Sequence, residues 1–314
     1  MVAERAVARA DPLRRVWVPG RPVDLVATLG PLRRGPVDPL WRVGAREVWR
    51  AARTPDGPGT LHLALDPAAG EVVGTAWGPG ASWLLDTLPA LLGADDVTAE
   101  AFEPEHPLLR AAWRRHRGWR VPRSPPVLET LVLTVLEQKV TGGEARQAWQ
   151  RLLRRYGSPA PGPAPDGMAV APEPQQWARI PSWEWHRAGV GPERSGTIVG
   201  AAQRAAALER TVGLPMDEVE RRLCSLPGVG RWTAAEVRQR VHGDPDAVSV
   251  GDLHLPGLVV HALTGEPDGD DARMLELLAA YEGHRYRAVR MVELSGVTRP
   301  RQAPRYAPLD HRTR

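Results

Sequence analysis

The stretch Leu226-Pro227-Gly228-Val229-Gly230-Arg231-Trp232-Thr233-Ala234, with Gly251-Asp252-Leu253-His254 further on, decides how this chain is read. Ahead of it, Val219, Leu223 and Leu226 recur on one face of a helix that starts near Met216. Behind it, Trp232 to Val241 predicts a second helix, stopped by Gly243 and Pro245. Pro-Gly-Val-Gly is then a tight hairpin, and its glycines permit positive φ and close backbone approach. Uncapped amides around Gly228, Val229, Gly230 and Arg231 make a concave donor set suited to a phosphate. Such a contact is blind to base sequence. The plain alternative is an ordinary αα-hairpin with a glycine turn, and the flanking residues decide between them.

Leu226 to Ala234, taken with Gly251 to His254, resembles the helix-hairpin-helix DNA glycosylases, and among them the 3-methyladenine DNA glycosylase II branch. Leu136-Glu137-Gln138-Lys139-Val140-Thr141-Gly142-Gly143-Glu144-Ala145-Arg146 resembles that branch's other characteristic segment. The similarity runs in order from Pro104 to Val297. It implies a mostly α fold with an N-terminal α+β domain: an antiparallel sheet domain and two helical subdomains with the active-site cleft between them. The expected limits are 1–97 for the sheet domain, 98–123 plus 245–298 for the subdomain carrying Asp252, and 124–244 for the one carrying the hairpin.

The resemblance also implies a function. A base inside a duplex must be flipped out before its bond to the sugar can be cut, and the gap must be filled. Gln138 and Lys139 fall at the filling position. Breaking an N-glycosidic bond builds positive charge on the deoxyribose, and Asp252 is the carboxylate matched to it, stabilising that charge or orienting water. A plain helix-capping role for Asp252 is the competing reading. Relatives that also cut the strand carry a lysine where this chain has Trp232, which implies a monofunctional enzyme leaving an abasic site. Trp232 resembles instead an aromatic wall for a cationic alkylated purine such as 3-methyladenine or 7-methylguanine. Glu236, Leu253 and His284 fall at the other base-pocket positions and make that pocket more polar than the branch's pattern. The alternatives are a non-catalytic helix-hairpin-helix DNA-binding protein, or a glycosylase for uracil or another deaminated base. The implied partner is double-stranded DNA with a damaged base, bound by a monomer. No cofactor is implied beyond a structural Na⁺ or K⁺ on the carbonyls of Cys224, Leu226 and Val229.

Composition agrees with this class without proving it. The chain of 314 residues is 42% apolar and 25% charged, with a net charge of +4. Its basic side is arginine apart from Lys139, and a pI near 9.8 suits a polyanionic partner. The single cysteine, Cys224, excludes an internal disulfide, a thiolate zinc site and a four-cysteine iron–sulfur cluster. Neither a signal peptide nor an 18-residue apolar run is visible, so a cytoplasmic, nucleoid-associated protein is expected.

The rest of the chain supplies elements. Val16 to Trp77 carries short β-type runs at 16–18, 47–50, 60–65 and 71–77, and Ala81 to Leu92 has helical spacing. Residues 104–123 interleave arginines with Trp113 and Trp119, either a phosphate-tracking strip or a solvated helix face. Leu128 to Leu136 is strongly periodic, and Thr141 with Glu144 forms a capping box that starts the next helix. The tail 299–314 is basic and proline-broken, a pattern expected of disorder.

Overall fold

The computed structural model describes residues 11–298; the first residues and the basic tail 299–314 lie outside the described residues. It opens on an antiparallel sheet. Its strands are β1 (Leu13–Trp17), β2 (Trp41–Val43), β3 (Glu47–Thr54), β4 (Gly57–Asp66) and β5 (Glu71–Trp77), in the spatial order β1-β5-β4-β3-β2. Turns at Pro55-Asp56 and Pro67-Ala68-Ala69-Gly70 set the register, with Trp49 opposite His62 and Leu63 opposite Gly74. A short helix, α1 (Leu25–Leu29), crosses between β1 and β2, capped by Asp24 through the amide of Ala27 at 2.9 Å.

The helical segment at 81–92 is two helices, α2 (Ala81–Asp86) and α3 (Leu88–Leu91). They are split at Thr87, because Pro89 can begin a helix but cannot continue one. Both pack on the sheet, where Gly74 leaves the room that Leu85 and Leu88 fill. Then follow α4 (Pro107–Arg115), α5 (Val127–Leu136) and α6 (Gly142–Tyr156). Thr141 and Glu144 close the capping box at the start of α6, the Thr141 amide reaching Glu144 at 2.9 Å. A two-stranded ribbon, β6 (Ser158–Pro159) with β7 (Ala169–Val170), precedes α7 (Pro174–Arg179), α8 (Ser182–Arg187), α9 (Pro192–Gln203) and α10 (Ala205–Glu209). The hairpin pair is α11 (Met216–Cys224) and α12 (Arg231–Val237), the latter running on as a π-type turn to His242. Last come α13 (Leu255–Thr264), α14 (Asp271–Leu278) and α15 (Arg285–Leu294).

The apolar interior divides in two. One cluster is continuous from the inner face of the sheet (Leu61, Leu63, Val72) through α5 and α6 to Val219, Leu223 and Val237 of the hairpin. The sheet and the middle helices therefore share a core, which burying both faces of α5 makes possible. The second cluster joins Phe102, Leu109, Trp113 and Trp119 to Val259, Met274, Val289 and Met291, so residues near 100–121 pack with those beyond 250. Arg287 sits in that second core, wholly buried, bonded to Asp96 at 2.9 and 2.7 Å and stacked against Trp119. A buried pair like this costs desolvation and is retained only with such complete hydrogen bonding.

The arginine-rich segment divides likewise. Arg120 pairs with Glu100, Arg123 with Asp95 at 2.7 Å, and Arg117 and Arg120 lie over Trp113, so only part of it faces solvent. Among the described residues no helix is long and apolar enough to cross a membrane.

Candidate active site

The hairpin is built from α11 outward. Val219 and Leu223 bury its apolar stripe, and Leu226 continues it into the turn. The turn closes on a bond from the Val229 amide to the Leu226 carbonyl at 3.0 Å. Gly228 has φ +83°, and a Cβ there would collide with the side chain of Thr197 on α9. No other residue type meets both demands. Gly230 is extended and stands as N-cap of α12 without a side-chain cap, so the first amides of α12 are unspent donors. Arg231 is exposed beside them. Arg238, at the far end, bonds Asp244 at 2.6 Å and pairs with Glu220, which pins α12 to α11.

The Glu-Gln segment meets this hairpin directly. The Gln138 amide donates to the Gly228 carbonyl at 3.0 Å and to Thr233 Oγ1 at 2.9 Å. Gln138 is thus a joint between the α5–α6 turn and the hairpin, and its donors are occupied. Lys139 beside it is exposed, and it is the only non-glycine residue with positive φ (54°) among the described residues. A lysine held in the left-handed region is strained, and strain of this kind persists where surrounding contacts over-determine it.

Asp252 is brought to Trp232 across twenty residues of chain, with the indole Nε1–H donating to Oδ2 at 3.2 Å. Its other oxygen, Oδ1, accepts the amides of His254 at 2.8 Å and Leu255 at 2.9 Å, at the start of α13. The carboxylate therefore caps a helix with one oxygen and faces the hairpin with the other. Its loop is further held by Asp271, whose carboxylate accepts the Gly251 amide at 3.0 and 3.1 Å. Asp252 is half-buried, the His254 side chain is exposed, and Leu253 is 86% exposed.

The remaining pocket positions are distributed differently. Glu236 lies one turn beyond Trp232 on α12, but its carboxylate accepts from Ser249 at 2.5 Å and pairs with Arg240 at 2.6 Å. Neither oxygen is left without a partner for a base amino group. His284 packs on Phe102 at 5.4 Å, and its Nδ1 accepts from Arg287 at 3.2 Å. Burial and the Arg287 guanidinium hold its pKa below the usual histidine range. No hydrogen bond or ring contact joins it to Trp232 or Asp252 among the described residues. Thr197, Ser249, Arg240 and Asp271 complete the site and were not read from the sequence. Only Arg240 had a local signal, its i,i+4 spacing from Glu236.

The carbonyls of Cys224, Leu226 and Val229 lie along the same turn. Backbone oxygens are the donor class a hard alkali cation prefers, and the Leu226 carbonyl already takes one amide. Cys224 is exposed, with its thiol pKa pushed up by partial burial and by Glu220.

No family model matches the sequence. Over 151 residues the chain is 34% identical to the probable bifunctional transcriptional activator/DNA repair enzyme AlkA of Mycobacterium tuberculosis, a match covering 48% of this chain and 30% of that protein. The chain thus spans under a third of the length of the curated relatives it matches. Among solved structures, a 3-methyladenine DNA glycosylase from Archaeoglobus fulgidus superposes with a TM-score of 0.71 at 17% identity, over 90% of this chain and 98% of that one. The 8-oxoguanine glycosylase/lyase of Clostridium acetobutylicum, without DNA, superposes with a TM-score of 0.64 at 13% identity, over 87% and 93%. The chain has the fold of the helix-hairpin-helix DNA glycosylases.

Proposed function

We propose that this protein is a monofunctional DNA glycosylase of base excision repair, releasing a damaged base from duplex DNA to leave an abasic site. One observation carries the proposal: a carboxylate, Asp252, held at 3.2 Å by the first-turn tryptophan of the hairpin's second helix. On this reading the uncapped amides at Gly230 and Arg231 take a DNA phosphate, which brings the extruded sugar beside Asp252. As the bond from C1′ to the base breaks, its electron pair leaves with the base and positive charge grows on the sugar. Oδ2 stabilises that charge and orients the water that adds to C1′. Because the cap fixes Oδ1, the carboxylate does not have to reorganise during the reaction.

Alkylated purines are the proposed substrate class, supported by the likeness to AlkA and by the half-buried Trp232 face against which a cationic base would stack. Lys139 is the proposed wedge, its strained backbone presenting a long stem to the gap. The absence of lysine at position 232 supports a hydrolytic rather than a lyase reaction. The test is base release from a panel of single-lesion duplexes, wild type against Asp252→Asn. Release that disappears in the variant supports the proposal; duplex binding without release from any lesion would establish a non-catalytic DNA-binding protein instead.

A further inference from the structure

The loop 33–40 of the sheet domain, between α1 and β2, reaches the turn that carries Lys139. Arg34 extends from it to Glu137, the residue before Gln138. Its Nε stands 2.7 Å from Glu137 Oε1, and its Nη2 donates to Oε2 at 3.3 Å. The third nitrogen, Nη1, donates to the Pro31 carbonyl at 2.6 Å. The same loop holds the other arm of the turn. The stem of Arg146 on α6 packs directly on Gly35, and Trp149 Nε1–H donates to Asp38 at 3.4 Å. Asp38 is fully buried and also accepts the amides of Arg34 and Leu40, so the base of the Arg34 side chain is fixed.

Around Lys139 the turn is tied from several sides. The Leu136 carbonyl accepts Arg194 Nη1 from α9 at 2.9 Å. Gln138 is bonded to the hairpin, and Thr141 to Glu144. Lys139 itself is exposed and sits at φ 54°. A lysine stays in that region only where its surroundings over-determine it. Among these ties, the one to Glu137 is an ion pair made by the sheet domain. With side chains only 10% and 24% exposed, it is screened less than a surface pair. Left unpaired, Glu137 would also set a negative charge beside the path of a polyanion.

We propose that Arg34 is a positioning residue for the DNA wedge. Its grip on Glu137 fixes the α5–α6 turn in the conformation that aims Lys139 at the gap, and it cancels a carboxylate that would repel phosphates. The sheet domain thus takes part in gap filling through a side chain that is itself largely buried. This rests on Lys139 as the wedge of the glycosylase proposed above.

The probe is a duplex with 2-aminopurine beside a stable abasic-site analogue, whose fluorescence changes when its stack is opened. Wild type should give a saturable change. Arg34→Met should lose most of that amplitude and slow single-turnover base release about 10- to 100-fold, the cost of a small misplacement. Its duplex Kd should stay within about threefold of wild type, because the hairpin donors and the Lys139 charge remain. Arg34→Lys keeps the charge without the planar fork and should recover part of the amplitude. If Arg34→Met does not fold, Arg34→Met/Glu137→Gln decides, since it strands no charge; it should show the same loss. The double variant Arg34→Met/Lys139→Ala separates positioning from mere stability. Arg34→Met should cost nothing further once Lys139→Ala has removed the wedge. Full amplitude in a folded Arg34→Met, or a loss that adds undiminished to that of Lys139→Ala, overturns the inference and leaves the glycosylase standing. A wild type that leaves the fluorescence unchanged overturns it as well. A wild type that releases no base from any lesion removes the enzyme assignment, and an amplitude that depends on Arg34 in that protein still supports the positioning role.

Discussion

Asp252→Asn separates the capping role of this side chain from its proposed catalytic one. The asparagine carbonyl can still accept the His254 and Leu255 amides in place of Oδ1, but without the charge that strengthens such bonds. At Oδ2 the new amide N–H₂ meets the Trp232 Nε1–H, donor against donor, where a 3.2 Å bond stood. Loss of charge at a helix start and of one hydrogen bond costs about 2 kcal/mol of stability in all. For a chain of 314 residues that lowers Tm by roughly 3 °C, which leaves the protein folded at assay temperature. The reaction should suffer more. Removing the group that stabilises the developing sugar cation costs about 10²- to 10⁴-fold in rate, or roughly 3–5 kcal/mol of barrier. Single-turnover release from a 7-methylguanine duplex, alongside a melting curve, measures both. A folded Asp252→Asn variant that releases base at the wild-type rate would refute the reasoning, because capping alone would then explain the residue.

Other perturbations test the surrounding parts. Trp232→Phe keeps a ring but removes the donor to Oδ2; kcat should fall about tenfold with little change in KM, in line with loss of roughly one hydrogen bond's worth of positioning. Gly228→Ala forces a side chain onto φ +83° and into Thr197; urea unfolding should show a loss of about 2–4 kcal/mol, partly recovered in a Thr197→Ala background. Glu129 has its pKa raised from 4.5 to about 7 by burial, against the opposing Arg50 charge. Its folded form holds a proton that the unfolded form releases, so its contribution is full below pH 4.5 and lost as pH rises to 7, about 3 kcal/mol in all. Denaturation curves for Glu129→Gln should lack that fall between pH 5 and 7. With Lys139 the only lysine, borohydride should trap no enzyme–DNA adduct, and strand breaks should appear only after alkali treatment.

What could be read from the sequence was local. The hairpin, the capping box at Thr141 and the periodic α5 are each decided within a few residues by glycine conformation, cap chemistry and apolar spacing. Strand β2 escaped because its three residues become a strand only by pairing with β3, Trp41 opposite Arg50. The pocket was less legible for the same reason. Nothing in the neighbours of Glu236 indicates that Ser249, thirteen residues on, will occupy one of its oxygens. Nothing near His284 announces that Phe102 and Arg287 will enclose it. Gln138 looked like a wedge by position, yet whether an amide projects or is tied down depends on Gly228, ninety residues away. Long-range partners decide side-chain roles even where the backbone is foreseeable.

The capping and catalytic readings of Asp252 look like rivals from the sequence, and the geometry is compatible with both at once. A carboxylate on a free loop would lose entropy each time it aligned with a sugar, and it would be hydrated until then. Here two backbone amides hold Oδ1, Asp271 anchors the preceding glycine, and an indole N–H fixes Oδ2. Those bonds are made before any substrate arrives, so their cost is met in folding rather than in the transition state. On the proposed glycosylase reading, the helix cap is what would let a half-buried aspartate act as a preorganised charge. On the same proposed reading, Trp232 suits hydrolysis better than a lysine at its position would: it orients the carboxylate without supplying a nucleophile that would divert the sugar into a covalent adduct.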